Sequence, residues 1–164
     1  MIPKRSFSWR SPRCYVAILA ELLVMSGDRC SYCDGFIGIE SRQTIDHFRP
    51  KGPFPALAYS WRNLFPACDQ CQSAKLEKYH PKLLRPDRAN YHFDRYFICD
   101  FATGQVSPNP GASIHDQARA EKTIEICGLN STARNKARLR ERRKWLAAAG
   151  AMAVDEFNYR HFLV

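Results

Sequence analysis

An acid, an imidazole, an amide and a lysine lie within one short stretch of this sequence. Asp46 and His47 are adjacent, Asn63 follows them, and Lys75 comes a little later. A histidine that titrates near neutral pH activates a water molecule, and a carboxylate holds a divalent ion beside it. These residue types are the ones needed to hydrolyse a phosphodiester with one metal ion. The alternative interpretation of His47 is a hydrogen-bonded structural histidine at the end of a strand.

Two Cys-x-x-Cys pairs enclose this stretch, the first at Cys30 and Cys33 and the second at Cys68 and Cys71. Four thiolates form a closed tetrahedral zinc site, which leaves no position for a reactive water and is therefore structural. A thiol oxidoreductase also uses Cys-x-x-Cys, but two such pairs fit zinc better. The other cysteines are predicted to be buried thiols of a reduced, cytoplasmic protein. They are Cys14, Cys99 and Cys127.

Composition and charge narrow the class of protein and of partner. The 164 residues are 45% hydrophobic and 12% aromatic, which is typical of a folded protein with room for one ordinary domain and an appended lobe. No apolar run approaches the roughly 20 residues of a membrane span. The net charge of +9 favours a polyanionic partner, of which nucleic acid is the commonest.

Helix and turn signals predict the elements that position the candidate residues. A helix is expected over residues 12–26, stopped by Gly27. Residues 36–39 and 44–48 have strand character and are expected to form a hairpin with Asp46 and His47 at its exit. A helix over residues 69–78 would complete a ββα unit clasped by the four cysteines.

The second half of the chain has a different pattern. Residues 96–106 predict a small hairpin, and residues 113–127 predict a helix. Asn130 or Ser131 is expected to cap a further helix, whose residues 134–144 hold seven basic side chains and one glutamate. A nucleic-acid groove or an acidic partner surface would relieve the repulsion within that helix.

The chain resembles the HNH endonuclease superfamily, also called the ββα-metal nucleases, and within it the HNH component of Septu-type and retron-associated anti-phage defence systems. The HNH resemblance covers about residues 28–78, and the closer one extends loosely to about Arg143. The closer resemblance also draws on residues 97–108 and 122–130. The motifs that carry the HNH resemblance are Cys30-x-x-Cys33, Asp46-His47-Phe48-Arg49-Pro50-Lys51, Trp61-Arg62-Asn63-Leu64, Cys68-x-x-Cys71 and Lys75.

The resemblance implies a role for each matching residue. His47 would be the general base, Asp46 would bind a catalytic Mg²⁺ or Mn²⁺, and Asn63 would brace the loop and the base. The third signature position, usually His or Asn and a metal ligand, is Gln72 here. Gln is one methylene longer than Asn, and Mg²⁺ requires strict octahedral geometry. The alternatives are that the helix is displaced, that a water bridges Gln72 to the ion, or that the site is weakened, and Asp69 is a candidate substitute ligand.

Candidate contacts to nucleic acid come from two places in the sequence. Arg49 and Lys51 directly follow the catalytic pair and are predicted to contact phosphate, while Lys75 is either a phosphate contact or a surface residue. The basic helix contributes the other candidates, which are Arg134, Arg138 and Arg142.

The sequence therefore predicts an α+β protein with a zinc-clasped ββα-metal core and flanking N-terminal and C-terminal helices. Its regions would be an arm and helix at 1–27, the nuclease core at 28–80 and a strand-turn and basic helical extension at 81–164. The expected function is metal-dependent cleavage of DNA or RNA beside an ABC- or SMC-like ATPase, with a retron reverse transcriptase and its nucleic acid as a further partner. The alternative is a non-catalytic zinc module that binds nucleic acid or docks a partner.

Overall fold

The computed structural model describes residues 12–38 and 41–164 of the chain. The predicted arm at 1–11 and the end of the predicted strand at Ile39 lie outside these residues. The helices and strands, in chain order, are α1 (Pro12–Ser26), β1 (Gln43–His47), β2 (Leu64–Cys68), α2 (Asp69–Lys75), α3 (Phe93–Tyr96), β3 (Phe97–Cys99), β4 (Val106–Pro108), α4 (Ile114–Cys127) and α5 (Thr132–Ala148). This mixture of helices and small sheets confirms the α+β prediction.

The chain divides into two compact units. The first comprises the residues up to Ser31 together with Phe36–Tyr79, and the second comprises Tyr32–Gly35 together with His80–Val164. The three sequence regions predicted above stay a prediction. None of the described helices combines the length and the apolar character needed to cross a lipid bilayer.

The sheet of the first unit pairs β1 with β2 in antiparallel register, so that His47 lies opposite Leu64. The predicted hairpin between residues 36–39 and 44–48 is therefore wrong. Among the described residues, the backbone of Phe36 forms an isolated bridge with Arg29 and not a strand, and the chain turns at Gly38. Strand β2 is buried along its whole length, so it gives β1 an apolar partner that the predicted strand did not offer.

Helix α2 begins at the second cysteine pair. The Sγ of Cys68 caps the helix by accepting the backbone N–H of Cys71 at 3.4 Å. The helix ends at Leu76, whose φ of +46° lies outside the helical region, so α2 is shorter than predicted. The ββα unit is still present, with β1, β2 and α2 as its parts.

The second unit follows the sequence prediction closely. Strands β3 and β4 form the expected hairpin, and Ser113 caps α4 by accepting the N–H of Asp116. Gly128 ends α4 in the left-handed conformation that favours glycine. Ser131 caps α5, while the Asn130 side chain bonds the backbone of Val106 in both directions.

Candidate active site and metal centre

The four predicted zinc ligands come together. The sulfur atoms of Cys30, Cys33, Cys68 and Cys71 all lie within 4.8 Å of one another. That spacing suits tetrahedral coordination of zinc by sulfur, and the Cys68 thiol already accepts a backbone N–H as a thiolate does. Among the described residues no other group of His, Cys, Asp or Glu side chains is clustered in this way. The donor chemistry and the spacing therefore fit a structural zinc ion.

His47 lies at the end of β1 with its ring held by a backbone carbonyl. Its Nε2 is 3.0 Å from the carbonyl oxygen of Ala58. Because a carbonyl only accepts hydrogen bonds, Nε2 carries the proton and the basic lone pair of the neutral ring is on Nδ1. The contact with Ala58 thus fixes the tautomer of the ring and leaves Nδ1 as the atom that can accept a proton.

Burial also changes the pKa of His47. Desolvation lowers the pKa of His47 below its usual 6.5, and the charges of Lys51 and Lys75 lower it further. The hydrogen bond to Ala58 and the charge of Asp46 act in the opposite direction but do not outweigh burial. The ring is therefore mostly neutral near pH 7, which is the form that accepts a proton.

Asn63 is buried and uses its side chain to brace the loop between β1 and β2. Its Oδ1 accepts the N–H of Arg49 at 2.8 Å, and its Nδ2 donates to the carbonyls of Arg49 at 3.0 Å and Leu57 at 3.2 Å. Since Leu57 precedes Ala58, this brace also places the carbonyl that holds His47. The geometry gives Asn63 a positioning role, with its amide occupied by backbone partners.

Asp46 and Lys75 form a buried ion pair. The Nζ of Lys75 lies 3.0 Å from Oδ2 of Asp46 and donates to the carbonyl of His47 at 2.7 Å. Lys75 is completely buried and Asp46 is 4% exposed. The prediction that Lys75 contacts phosphate is therefore corrected. Its ammonium is enclosed because it supplies the counter-charge for a carboxylate that the fold places in the interior.

Gln72 projects from α2 toward the strand that carries Asp46 and His47. Its Nε2 donates to the carbonyl of Ile45 at 3.1 Å. The carboxamide oxygen of Gln72 and the carboxylate of Asp46 are hard oxygen donors of the kind that Mg²⁺ prefers. The donor types fit a divalent ion, although such an ion would share Asp46 with Lys75. Asp69, the substitute candidate, accepts the N–H of Gln70 at 2.9 Å.

The loop after β1 presents cations beside His47. Arg49 is exposed, and its guanidinium carbon lies 5.6 Å from the ring centre of Phe54 and 5.5 Å from that of Tyr79. Lys51 is close enough for its charge to affect the pKa of His47. These positions are compatible with the predicted phosphate contacts.

Two of the three arginines of α5 that were predicted to bind nucleic acid are buried. Arg134 is 3% exposed and bonds the carbonyl of Gly128, while Arg138 is 4% exposed and donates to the carbonyl of Gly104 at 3.0 Å. The prediction that these two side chains bind nucleic acid is corrected, because packing encloses both guanidinium groups. Desolvation lowers the pKa of Arg138 from its usual value. The third candidate, Arg142, is only partly buried.

Sequence reasoning missed the residues that act through their backbone or through a distant partner. The carbonyl of Ala58 holds His47, but a carbonyl has no residue-type signal. Arg160 binds Asp34 next to the first cysteine pair, with Nη2 2.7 Å from Oδ1, although the two are far apart in the chain. Asp34 could have been noticed in the sequence because it directly follows Cys33. Nothing in the sequence indicates that Arg160 is its partner.

Comparison with known families identifies the segment that carries this site. Residues 30–78 match the HNH endonuclease family model. This range contains the four clustered cysteines, the Asp46–His47 pair, Asn63 and Gln72.

Two curated relatives are both described as Septu protein PtuB. The one from Bacillus thuringiensis is 38% identical over 68 residues, which are 41% of this chain and 25% of that protein. The one from Bacillus mycoides is 33% identical over 70 residues, covering 35% of this chain and 24% of that protein. The chain thus spans about a quarter of the length of these relatives. The predicted resemblance to HNH and Septu-type proteins is confirmed.

Proposed function

With residues 30–78 identified as an HNH domain, we propose that the protein is a metal-dependent endonuclease that hydrolyses nucleic-acid phosphodiester bonds. The observation that carries the proposal is the state of His47. A backbone carbonyl holds its Nε2–H, and burial keeps the ring neutral near pH 7. A general base for water needs both properties.

In the proposed reaction, Nδ1 of His47 takes a proton from a water molecule as that water attacks the phosphorus. The bond from phosphorus to the leaving oxygen breaks, and the leaving oxygen takes a proton from solvent. Asn63 keeps the ring in place through the loop that carries Ala58. Arg49 and Lys51 bind the phosphates on either side of the cut. A divalent ion held by Asp46 and Gln72 would stabilise the charge on the phosphate and the leaving oxygen. Zinc on the four cysteines would hold the segments that carry Asp46, His47 and Gln72 in register.

The resemblance to Septu proteins extends the proposal to a biological setting. The two relatives carry the Septu name, so we place this nuclease in an anti-phage defence complex with an ABC- or SMC-like ATPase partner. The net charge of +9 supports a nucleic-acid substrate. The retron reverse transcriptase stays a prediction from the sequence.

A non-catalytic zinc module is the second candidate, and one pair of contacts favours it. Asp46 already has Lys75 as its counter-ion, and Gln72 already donates to the carbonyl of Ile45. A divalent cation would therefore have to compete with the Lys75 ammonium for Asp46, and the bond to Ile45 limits how far the carboxamide oxygen of Gln72 can move toward an ion.

A cleavage assay separates the two candidates. The full chain, zinc-loaded and mixed with Mg²⁺ or Mn²⁺, is incubated with single- and double-stranded DNA and RNA. We expect His47→Ala to reduce cleavage by roughly 10²-fold or more, since general bases contribute about that much. His92→Ala, an exposed histidine in the second unit, is the matched control and should cut like the wild type. Equal cutting by His47→Ala and wild type would contradict the proposed base.

A second experiment tests the metal ligand without relying on turnover. Binding of Mn²⁺ to the zinc-loaded protein is followed by electron paramagnetic resonance. Gln72→Leu should weaken Mn²⁺ binding by roughly tenfold through loss of one oxygen donor. Gln70→Leu, on the exposed side of the same helix, should bind Mn²⁺ like the wild type. Unchanged binding by Gln72→Leu would remove Gln72 from the ion site.

A further inference from the structure

The second unit contains a cavity that the proposed hydrolysis does not use. Its volume is about 290 Å³, and it lies where the turn after β3 meets α5. The lining side chains are Phe101, Leu139, Arg142 and Arg143. The cavity therefore combines an aromatic ring, an aliphatic side chain and two guanidinium groups.

Arg142 lines this cavity with its guanidinium stacked on an aromatic ring and one nitrogen without a hydrogen-bond partner among the described residues. Its guanidinium carbon lies 4.1 Å from the ring centre of Phe101, which is close stacking. Its Nε is buried and has no hydrogen-bond partner among the described residues. A buried donor without a partner is rare and costs stability, so the position calls for an explanation.

The neighbouring arginines of α5 show the contrast. Arg134 donates to the carbonyl of Gly128 and Arg138 donates to that of Gly104, so both have partners within the protein. Arg142 has the aromatic platform but lacks an acceptor for Nε. The missing acceptor is what a bound anion would supply.

Helix α5 carries a row of cations beside the cavity. Lys136, Arg140 and Arg143 are exposed and follow one another at intervals of four and three, so they share a helix face. Arg143 also lines the cavity. A row of cations leading into a pocket with an aromatic ring matches a polymer of regularly spaced anions with planar rings.

We propose that this cavity binds one nucleotide unit of a single-stranded nucleic acid. A rotation of the Arg142 side chain turns the buried Nε toward the cavity, and phosphate oxygens then accept hydrogen bonds from Nε and the adjacent amino group, in the forked geometry that guanidinium offers. Leu139 and the exposed part of Phe101 contact the sugar or the base. The cations of α5 extend the contact to neighbouring phosphates. This inference rests on the proposed function, because it assumes a nucleic-acid substrate.

Fluorescence anisotropy of labelled oligo(dT) and oligo(U) tests the inference on the full, zinc-loaded chain without a catalytic metal. We expect Arg142→Ala and Phe101→Ala to weaken binding by roughly tenfold each. Arg142→Ala should also reduce the slope of log K against log salt by about one, while Phe101→Ala leaves that slope unchanged. Arg88→Ala removes an exposed cation of the same unit outside α5 and should change binding less than twofold.

Further controls guard against a variant that merely unfolds. Arg142→Lys keeps the charge but loses the fork and the stacking, so it should retain the salt slope and recover only part of the affinity. Each variant is compared with wild type in thermal melting and zinc content. Wild-type binding and salt slope in a folded Arg142→Ala protein would overturn the inference. Poly-glutamate is measured as a second probe with the same variants. If Arg142→Ala weakened binding to poly-glutamate but not to the oligonucleotides, the cavity would be assigned to an acidic protein partner and the inference would be overturned.

The outcome is separable from that of the proposed nuclease activity. Cleavage that depends on His47 but not on Arg142, together with unchanged oligonucleotide binding, would leave the nuclease proposal standing without this inference. If the protein never cuts but its oligonucleotide binding depends on Arg142, the nucleic-acid site would stand and the nuclease proposal would not.

Discussion

The two units of the molecule bury positive charge in different ways. In the first unit Lys75 is enclosed against the carboxylate of Asp46, so each charge has its counter-charge. In the second unit Arg134 and Arg138 are enclosed against backbone carbonyls, which are neutral. A buried pair of charges depends on both partners, whereas a carbonyl that loses its arginine leaves only an unsatisfied dipole. The same surplus of basic residues therefore has different structural consequences in the two units.

The largest expected difference between the units concerns zinc. Cys71→Ser should release zinc and unfold the first unit, because structural zinc contributes roughly 10–16 kcal/mol in zinc-finger peptides. Cys127→Ser is the matched control, since Cys71 and Cys127 are both completely buried and Cys127 lies in the second unit. The control should keep zinc and lose only about 1–3 kcal/mol. Metal analysis and circular dichroism measure both effects, and a folded Cys71→Ser protein without zinc would contradict the expectation.

The two buried cations provide the next comparison. Lys75→Met should destabilise the protein by about 3–5 kcal/mol, because it leaves the Asp46 carboxylate buried without a counter-charge. Arg138→Met should cost about 1–3 kcal/mol, because it leaves neutral carbonyl acceptors. Lys82→Met, at an exposed position, should stay within roughly 0.5 kcal/mol of wild type. Urea unfolding gives all three values, and equal costs at Lys75 and Arg138 would break the proposed contrast.

Packing of α5 against the hairpin of the second unit is tested at a glycine. Gly104 has φ +80°, and a Cβ there would lie 2.3 Å from the backbone oxygen of Asn135. Gly150 has φ +83° but nothing within 4 Å of such a Cβ. Gly150→Ala should therefore cost about 1 kcal/mol for the backbone strain, and Gly104→Ala about 3 kcal/mol with the added clash. The difference in melting temperature between Gly104→Ala and Gly150→Ala measures the cost of the clash with Asn135. Equal melting temperatures for the two variants would show that this clash is absent.

The smallest expected effect is a pH dependence of stability that originates at His47 in the first unit. Burial lowers the pKa of His47 in the folded protein below the unfolded value of 6.5, so the unfolded chain binds more protons in that range. The stabilisation is complete above pH 6.5 and is lost as the pH falls through the folded pKa, by at most about 1.4 kcal/mol per pH unit. His47→Asn should flatten this dependence, while His92→Asn in the second unit should keep it. Urea unfolding between pH 5 and 8 measures it, and a stability that rises on acidification would reverse the assigned sign.

Much of the candidate site was readable from the sequence because its signals are local. The spacing of Cys30, Cys33, Cys68 and Cys71 predicted a cluster that the structure shows. The helix capped by Ser113 and the small hairpin before it were predicted from turn and cap residues. The pairing of β1 was predicted wrongly, since its partner β2 lies beyond a long loop and no local signal reveals that choice.

The sequence by itself determined which residue types are available for chemistry and at what spacing: the four paired cysteines, the adjacent Asp46 and His47, and the surplus of basic side chains. Only the tertiary structure decided where each charge faces. Lys75 is enclosed against a strand that precedes it by many residues, and Arg142 stacks on Phe101 in the hairpin turn. Residue type and spacing fix local geometry and donor chemistry. Burial depends on which distant surfaces pack together, and that is a property of the whole fold.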